Sequence, residues 1–414
     1  MNSFKRHSLV ASVALATTVV TTSFTSTAFA AESESLEAAL LNGKATLDLR
    51  YRYEAVDQDG ADKDAKASTV KTRLNYATGT FKGVSGFIEF DDVTSIGDVK
   101  YNDAAATPES KTEYPVVADP QGTEVNQAYL KYSGIPDTTV TFGRQRVILD
   151  NARFIGNVGW RQNEQTYDAL TLVNKSLPDT TIVYGYVTNV NRIFGEASDK
   201  GDVDTKTHLL NISYAGLPFG KLSAYGYFLD FVDTPDNSNS TLGLRFAGNT
   251  AMSDDVKLLY TLELAQQSDY KDGADTIDYD YSMIELGATV SGVTAKIGQE
   301  TLGSNDGDGA FFTPLATAHA FNGWADKFLA TPANGLVDTF VSVGTKVGGV
   351  KLLAVYHDYT SDEENIDYGT ELDLLVAKKI NKKYTLLGKY ASYSADDHAT
   401  DTDKLWLMAQ ATFK

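Results

Sequence analysis

The chain has 414 residues, of which 42% are hydrophobic and 11% aromatic, with no cysteine and a formal net charge of -19 at pH 7. The lack of cysteine excludes a disulfide scaffold, a CxxC redox motif and cysteine-ligated metal or haem sites. The strongly acidic charge argues against nucleic acid as a partner.

The N-terminus has the features of a secretory signal peptide. A basic pair, Lys5 and Arg6, precedes an apolar run, and an Ala-Phe-Ala triplet ends the segment. We therefore expect residues 1–30 to be the signal peptide and residues 31–414 to be the mature protein. No later stretch approaches the roughly 18 apolar residues that a transmembrane helix needs. An exported chain of this kind is periplasmic, secreted, or an outer-membrane barrel.

The mature sequence alternates between apolar and polar residues over segments of about ten residues. In the first segment Leu47 and Leu49 fall on one face, while Asp48 and Arg50 fall on the other. This pattern is typical of a strand with one side toward lipid and the other toward a polar lumen. We predict eighteen antiparallel strands, which begin near residues 45, 69, 84, 125, 138, 167, 180, 207, 221, 240, 256, 280, 293, 336, 350, 370, 384 and 403.

The predicted fold is an all-β transmembrane antiparallel barrel with short periplasmic turns and long extracellular loops. The alternative is a soluble β-sandwich or β-helix, but so many strands without a domain break are unusual in a sandwich. Tyrosines near strand ends are expected to form aromatic girdles, among them Tyr51, Tyr132, Tyr184, Tyr279, Tyr281, Tyr356 and Tyr393. The long connectors are near 54–68, 94–124, 146–166, 188–206 and 301–335.

The arginines are concentrated in the first part of the mature chain. Four of them, Arg144, Arg146, Arg153 and Arg161, lie within 18 residues, in the third long connector and the end of the strand before it. No arginine follows Arg245. We predict that these residues and the inward-facing arginines of neighbouring strands line a constriction, because guanidinium binds carboxylates in a planar fork. The inward-facing set is Arg50, Arg52, Arg73 and Arg245.

Two interpretations of this cationic sector remain open. It is expected to face acids elsewhere on the wall and thereby to set up a field that guides charged solutes. Alternatively, the loop arginines pair with Asp150, Glu164 and Asp168 and simply hold the loop in place. Both interpretations can hold at once. The acids expected on the facing wall are Glu89, Asp91, Glu263, Glu371 and Asp373.

Two loop motifs give the chain a family resemblance. The first combines Gly143-Arg144-Gln145 with the run 156–168, which contains Gly159-Trp160-Arg161-Gln162. The second is Phe321-Asn322-Gly323-Trp324-Ala325-Asp326-Lys327-Phe328, in a loop whose apolar content suggests that it packs over the mouth or into it. These motifs resemble the alginate-export family of outer-membrane barrels. The resemblance implies passage of an anionic polyuronate through an arginine-lined pore, with Trp160, Gln162, Trp324 and Asp326 as the loop-motif residues.

The functional prediction is a porin for passive diffusion of small hydrophilic solutes, with anionic or sugar-like solutes favoured. The alternatives are export of an alginate-like polysaccharide, a hydrolase at the rim, and a surface adhesion or structural barrel with a plugged lumen. Asp397-His398 is the only rim pair for such an enzyme, and adjacency along the chain does not orient a base. We therefore expect no catalytic residues.

The expected surroundings follow from this prediction. The protein is expected in the outer membrane of a Gram-negative bacterium, in contact with lipid and lipopolysaccharide, as a monomer or homotrimer. No cofactor is expected, although Ca²⁺ at the acidic loop segments 57–64 and 305–309 is an alternative.

Overall fold

The structure is a computed structural model that describes residues 32–106 and 110–414. The predicted signal peptide lies outside the described residues. Eighteen antiparallel strands form one closed barrel, because each strand pairs with the next along the chain and the first pairs with the last. No helix among the described residues is long and apolar enough to cross a membrane.

The strands are β1 (Lys44–Gln58), β2 (Ala65–Ala77), β3 (Val84–Ser95), β4 (Gly122–Ile135), β5 (Thr138–Gln145), β6 (Thr166–Asn174), β7 (Thr180–Asn191), β8 (Asp202–Leu217), β9 (Gly220–Leu229), β10 (Asn239–Ala251), β11 (Val256–Asp269), β12 (Asp278–Val290), β13 (Val293–Leu302), β14 (Leu336–Val347), β15 (Val350–Thr360), β16 (Asp367–Lys379), β17 (Tyr384–Ala395) and β18 (Thr402–Phe413). A short helix α1 (Leu36–Leu41) precedes them, and 3-10 turns lie at Pro235–Asn237 and Ala318–Ala320.

The predicted strand number and order are confirmed. The largest differences are at β2, which begins at Ala65 rather than near residue 69, and at β8, which begins at Asp202 rather than near residue 207. At both starts the hairpin extends into a polar stretch where the apolar alternation is absent. Cross-strand pairing rather than hydropathy therefore sets those strand ends.

Burial is inverted relative to a soluble protein. On β16, Leu372 and Leu374 are each 40% exposed, whereas Asp373 between them is fully buried. Successive strand residues point to opposite faces. The apolar face therefore points outward, where a membrane barrel meets lipid, and the charged face points into the barrel.

Three of the tyrosines expected in the girdles are placed differently. Tyr51, Tyr132, Tyr184 and Tyr356 are exposed on the outer wall, as expected. The prediction is wrong for Tyr279, Tyr281 and Tyr393, because each is buried at 5% exposure or less. Their position in the alternation is inward, and the Tyr281 hydroxyl donates a 2.6 Å hydrogen bond to Glu300.

Two of the long outer loops fill the extracellular half of the barrel. We number the outer loops L1 to L9 in chain order, so that L2 is 96–121, L3 is 146–165, L4 is 192–201 and L7 is 303–335. Most residues of L3 are buried, and the buried core of the molecule runs from L3 and L7 to the inward faces of the strands. In the periplasmic half, inward residues such as Asp48, Lys131 and Lys296 keep partial exposure. The interior is therefore filled most densely where L3 and L7 meet the wall.

Candidate functional site

The end of L3 is bound by the arginines of β1. Arg50 donates from its guanidinium to the carbonyl oxygens of Gly159 at 3.2 Å and Arg161 at 3.1 Å. Arg52 donates to Asp119 of L2 at 3.2 Å and to the Trp160 carbonyl. Its guanidinium carbon also lies 4.4 Å from the centroid of the Trp160 ring. Both arginines are buried, so they hold the loop backbone against the wall.

A second set of contacts centres on Glu164 of L3. Arg73 Nη1 and Arg146 Nε each donate to this carboxylate at 2.5 Å, and Asn157 donates at 3.1 Å. Burial alone would raise the pKa of Glu164, but Arg146 and Arg73 outweigh it and hold that pKa well below its ordinary value. The carboxylate therefore stays charged and ties L3 to β2.

A third set of contacts joins L3 to L7 through Asp326. Its carboxylate accepts from Arg161 at 3.0 Å, from Lys404 of β18 at 2.9 Å, and binds His319 Nδ1 at 2.6 Å. Although burial opposes it, contact with His319 and Lys404 holds the pKa of Asp326 well below its ordinary value. Arg161 also donates to Glu54 at 3.0 Å. This motif carboxylate is therefore a junction of both loops and the wall.

Lys389 of β17 occupies an aromatic cage at the same place. Its Nζ lies 3.6 Å from the Trp324 ring centroid, 4.4 Å from that of Trp160 and 5.4 Å from that of Trp406. It also lies 2.7 Å from His319 Nε2. These are all the tryptophans of the chain. Ammonium over aromatic faces is stabilised by the ring quadrupoles, more so when desolvated.

On the other side of the lumen, the start of L3 packs in an aromatic cluster. The ring centroid of Phe154 lies 5.3 Å from that of Tyr225, 5.2 Å from that of Tyr281 and 5.8 Å from that of Phe311 in L7. Arg153 beside it donates to Glu300 at 2.7 Å and to Asn322 at 3.1 Å. Here L3 and L7 are joined mainly by apolar burial.

Seven of the eight predicted arginines point into the barrel, although they lie on two sides of the lumen. Arg50, Arg52, Arg73, Arg146, Arg153, Arg161 and Arg245 all reach the barrel interior. The prediction that Arg144 lines the lumen is wrong. On β5 it has the same orientation as Phe142, which is 66% exposed on the outer wall. Its guanidinium pairs outside the lumen with Asp168 at 2.9 Å and with Glu196 of L4 at 3.1 Å.

The predicted opposition of cationic and acidic walls is also wrong for three of the acids. Glu89 and Asp91 lie on β3 next to Arg73, and Asp91 pairs with that arginine at 2.5 Å. Glu263 stands directly opposite Arg245 on the neighbouring strand and pairs with it. Charges on adjacent strands attract at short range, so they neutralise each other pairwise. Glu371 and Asp373 lie on β16, separated from β1 by β17 and β18.

The sequence reasoning missed Lys389 and Trp406. Both lie inward by strand alternation, and that alternation was the signal available. The cage itself is invisible in sequence because its members come from L3, L7, β17 and β18, which only the closed barrel brings together.

The calcium and hydrolase alternatives gain no support from the geometry. No group of three or more His, Asp or Glu in the described part of the chain is placed to hold a metal ion. His398 Nε2 lies 3.3 Å from the Lys327 carbonyl, and its ring stacks on Phe328 with centroids 4.9 Å apart. The histidine is thus used to support L7.

The comparisons with known proteins agree with this architecture. The family model for alginate export matches residues 43–295. The chain belongs to the alginate-export family. No curated protein matches it. Solved porins share the fold at low identity: OccK9 (OpdG) of Pseudomonas aeruginosa is 13% identical with a TM-score of 0.71, over 91% of this chain and 99% of that one.

Two further structures are similar. OccAB2 of Acinetobacter baumannii is 16% identical with a TM-score of 0.70, over 91% of this chain and 100% of that one. OpdK of P. aeruginosa, solved with vanillate, is 14% identical with a TM-score of 0.70, over 90% of this chain and 99% of that one. This alginate-export family member thus has the fold of an outer-membrane porin. It is a barrel of the outer membrane of a Gram-negative bacterium.

Proposed function

We propose that the protein is a channel without catalytic activity, through which small hydrophilic solutes diffuse passively. Carboxylates and acidic sugars are the favoured solutes. The observation that carries this proposal is a pair of adjacent cations without carboxylate partners. Arg50 and Lys71 stand opposite each other in the β1–β2 register. Neither forms an ion pair with a described residue.

The two side chains are ready to interact with an anion. Arg50 donates only to carbonyl oxygens of L3. Lys71 Nζ is buried without a hydrogen-bond partner among the described residues. An unpaired buried ammonium is costly, and a passing carboxylate would relieve that cost. OpdK, which shares the fold, was solved with the aromatic carboxylate vanillate, and this supports the same solute class.

Export of an anionic polysaccharide is the second candidate, because the family model for alginate export matches the chain. The buried core that joins L3 and L7 to the wall argues against it, because a polymer chain needs an open path through the extracellular half of the barrel. Partners in the membrane are lipid and lipopolysaccharide. The monomer and the homotrimer both remain compatible with this function.

The test is the reversal potential of single channels in a salt gradient across planar bilayers. We expect the native protein to prefer anions and Lys71→Gln to shift the reversal potential toward cation preference. Arg144→Gln is the matched control, because it removes a cation from the outer wall and should leave the reversal potential unchanged. A silent membrane, or an equal shift in both variants, would refute the proposal. Liposome swelling with sugars, uronates and organic acids then ranks the solutes.

A further inference from the structure

The tip of L7, residues 322–326, sits on polar groups of the wall. The Asn322 side chain donates to Glu300 at 2.6 Å and to Asp338 at 3.1 Å. The backbone N–H of Ala325 donates to Glu371 of β16 at 2.7 Å. The tip is therefore bound by carboxylates from three strands.

The fit at Gly323 shows how closely the tip is seated. Its φ is +83°, and a Cβ there would stand 2.3 Å from both Glu371 Oε2 and Tyr359 Oη. Only glycine meets both demands, the left-handed backbone and the missing side chain. The tip thus fits closely against Glu371 and Tyr359, and we call this surface of the wall the seat.

A chain of three side chains fastens the tip to β17. Burial and the nearby Lys389 lower the pKa of His319 to about 3 despite Asp326, so the imidazole is neutral. His319 then donates from Nδ1 to Asp326, and its Nε2 accepts from the Lys389 ammonium. We call this chain, Asp326–His319–Lys389, the latch. The tryptophans of L3 and L7 close over its ammonium end.

The contacts at the seat are mainly polar, whereas the segments of L7 before and after the tip are held by aromatic packing. We call these two segments, around Phe311 and Phe328, the anchors. Before the tip, Phe311 is fully buried in the aromatic cluster. After it, Phe328 packs on Tyr359 with ring centroids 4.5 Å apart. The seat between them leaves the buried Tyr359 Oη without a hydrogen-bond partner among the described residues, and it buries the carboxyl groups of Glu371 and Asp373 next to each other on β16.

This contrast divides L7 into fixed ends and a releasable middle. Buried groups without partners cost free energy that water would restore. Leaving the seat would expose Trp324 but would also hydrate Asp373, Glu371 and Tyr359, whereas leaving the anchors would expose Phe311 and Phe328 with no such gain. Motion is therefore cheapest at residues 322–326.

We propose that residues 322–326 of L7 are a gate, which the latch holds closed against β16 and β17 and which opens the lumen when the latch is released. The proposal rests on the channel function proposed above. Its test therefore separates movement of the tip from conduction.

Movement is measured by thiol labelling, because the chain has no cysteine of its own. Ala325 is 1% exposed when the tip is seated. In proteoliposomes, Ala325→Cys should react slowly with a membrane-impermeant maleimide, and adding Lys389→Met should speed the reaction about tenfold, as a loss of roughly 1.4 kcal/mol implies. The matched control is Lys379→Met, an exposed lysine, which should leave the rate unchanged. Asp62→Cys, on the exposed loop L1 (59–64) between β1 and β2, is labelled in parallel to show that the maleimide reaches the outer loops.

Conduction is measured on the same variants in planar bilayers. Lys389→Met should raise the open probability in parallel with the labelling rate. His319→Gln is the second variant in case Lys389→Met fails to fold, which circular dichroism and heat-modifiable gel mobility would show. Unchanged labelling and gating in both folded variants would overturn the gate and leave the channel standing. If labelling becomes faster but the bilayers show no conductance, the channel function is overturned, and the gating role with it.

Discussion

The two sides of the lumen are filled by different chemistry, although the same two loops fill both. Toward β9–β13, Phe154 of L3 and Phe311 of L7 pack in an aromatic cluster. Toward β1–β3, the end of L3 is held by ion pairs around Glu164. Aromatic burial is favourable without directional demands. Buried ion pairs gain little net stability, but losing one partner is costly.

The difference suggests a division of labour. The aromatic side keeps the loops inside the barrel, and the ionic side fixes the geometry of the charged groups that a solute would meet under the proposed channel function. Arg50 and Lys71 have no ion-pair partner among the described residues, because Glu164, Glu89 and Asp91 already pair with Arg73 and Arg146. The two loops are thus held by different interactions on the two sides of the lumen.

The largest expected effect is on the aromatic side. Phe154→Ala should weaken docking of L3 by about 4 kcal/mol, because it leaves a cavity among Tyr225, Tyr281 and Phe311. Hydrogen exchange at the Gly156 amide, which donates to the Leu315 carbonyl at 2.9 Å, reports the docking. Phe142→Ala on the lipid-facing wall is the matched control and should leave that amide protected. Equal exchange in both variants would contradict the anchoring role.

On the ionic side the expected effect is somewhat smaller. Glu164→Gln removes the charge that Arg73 and Arg146 share but keeps an acceptor, so docking should weaken by about 3 kcal/mol. The control is Glu196→Gln, whose partner Arg144 lies on the outer rim, and there the change should stay below about 1 kcal/mol. The same amide exchange measures both. If Glu164→Gln weakens docking no more than Glu196→Gln does, the buried ion pairs of Glu164 do not hold L3 in place.

Much of the barrel is predictable from sequence because strand alternation is local. The inward direction of Arg50 and Arg73 and the outward direction of Leu372 and Leu374 follow from a period of two. The same rule, extended along β5 from Phe142, would have placed Arg144 outside. The prediction groups Arg144 with the loop instead, because the arginine-rich segment begins before β5 ends.

The partners of these side chains are not predictable in the same way. Arg73 pairs with Asp91 across a hairpin, which a register can suggest. Its other partner, Glu164, lies 91 positions along the chain and arrives only because L3 folds inward. The latch is less accessible still, since Lys389 meets His319 only after the barrel closes and L7 enters it.

The effect that is smallest near neutral pH sharpens the comparison through its pH dependence. His319 is neutral when the latch is closed, with its pKa lowered to about 3 by burial and Lys389, but it has an ordinary pKa of 6.5 when the tip is free. Acid therefore adds a proton to the released state first. Docking should weaken by about 1.4 kcal/mol per pH unit below pH 6.5, down toward pH 3, through this residue alone.

Other groups that face His319 titrate differently. Asp326 has a depressed pKa, so it adds to the loss only as the pH falls through its ordinary value of 3.8. Arg161 and Lys404 contact Asp326 directly, and both residues are retained in His319→Gln. Glu371 and Asp373, on the wall behind the tip, are likewise retained in that variant.

The measurement is tryptophan emission against pH, because Trp160, Trp324 and Trp406 all lie at the latch. We expect the native protein to lose the docked signal at a higher pH than His319→Gln, with the aromatic cluster around Phe154 unaffected. Superimposable pH profiles would remove His319 from the latch. A loss of the Gly156 amide's protection at the same pH would instead show that both sides of the lumen open together.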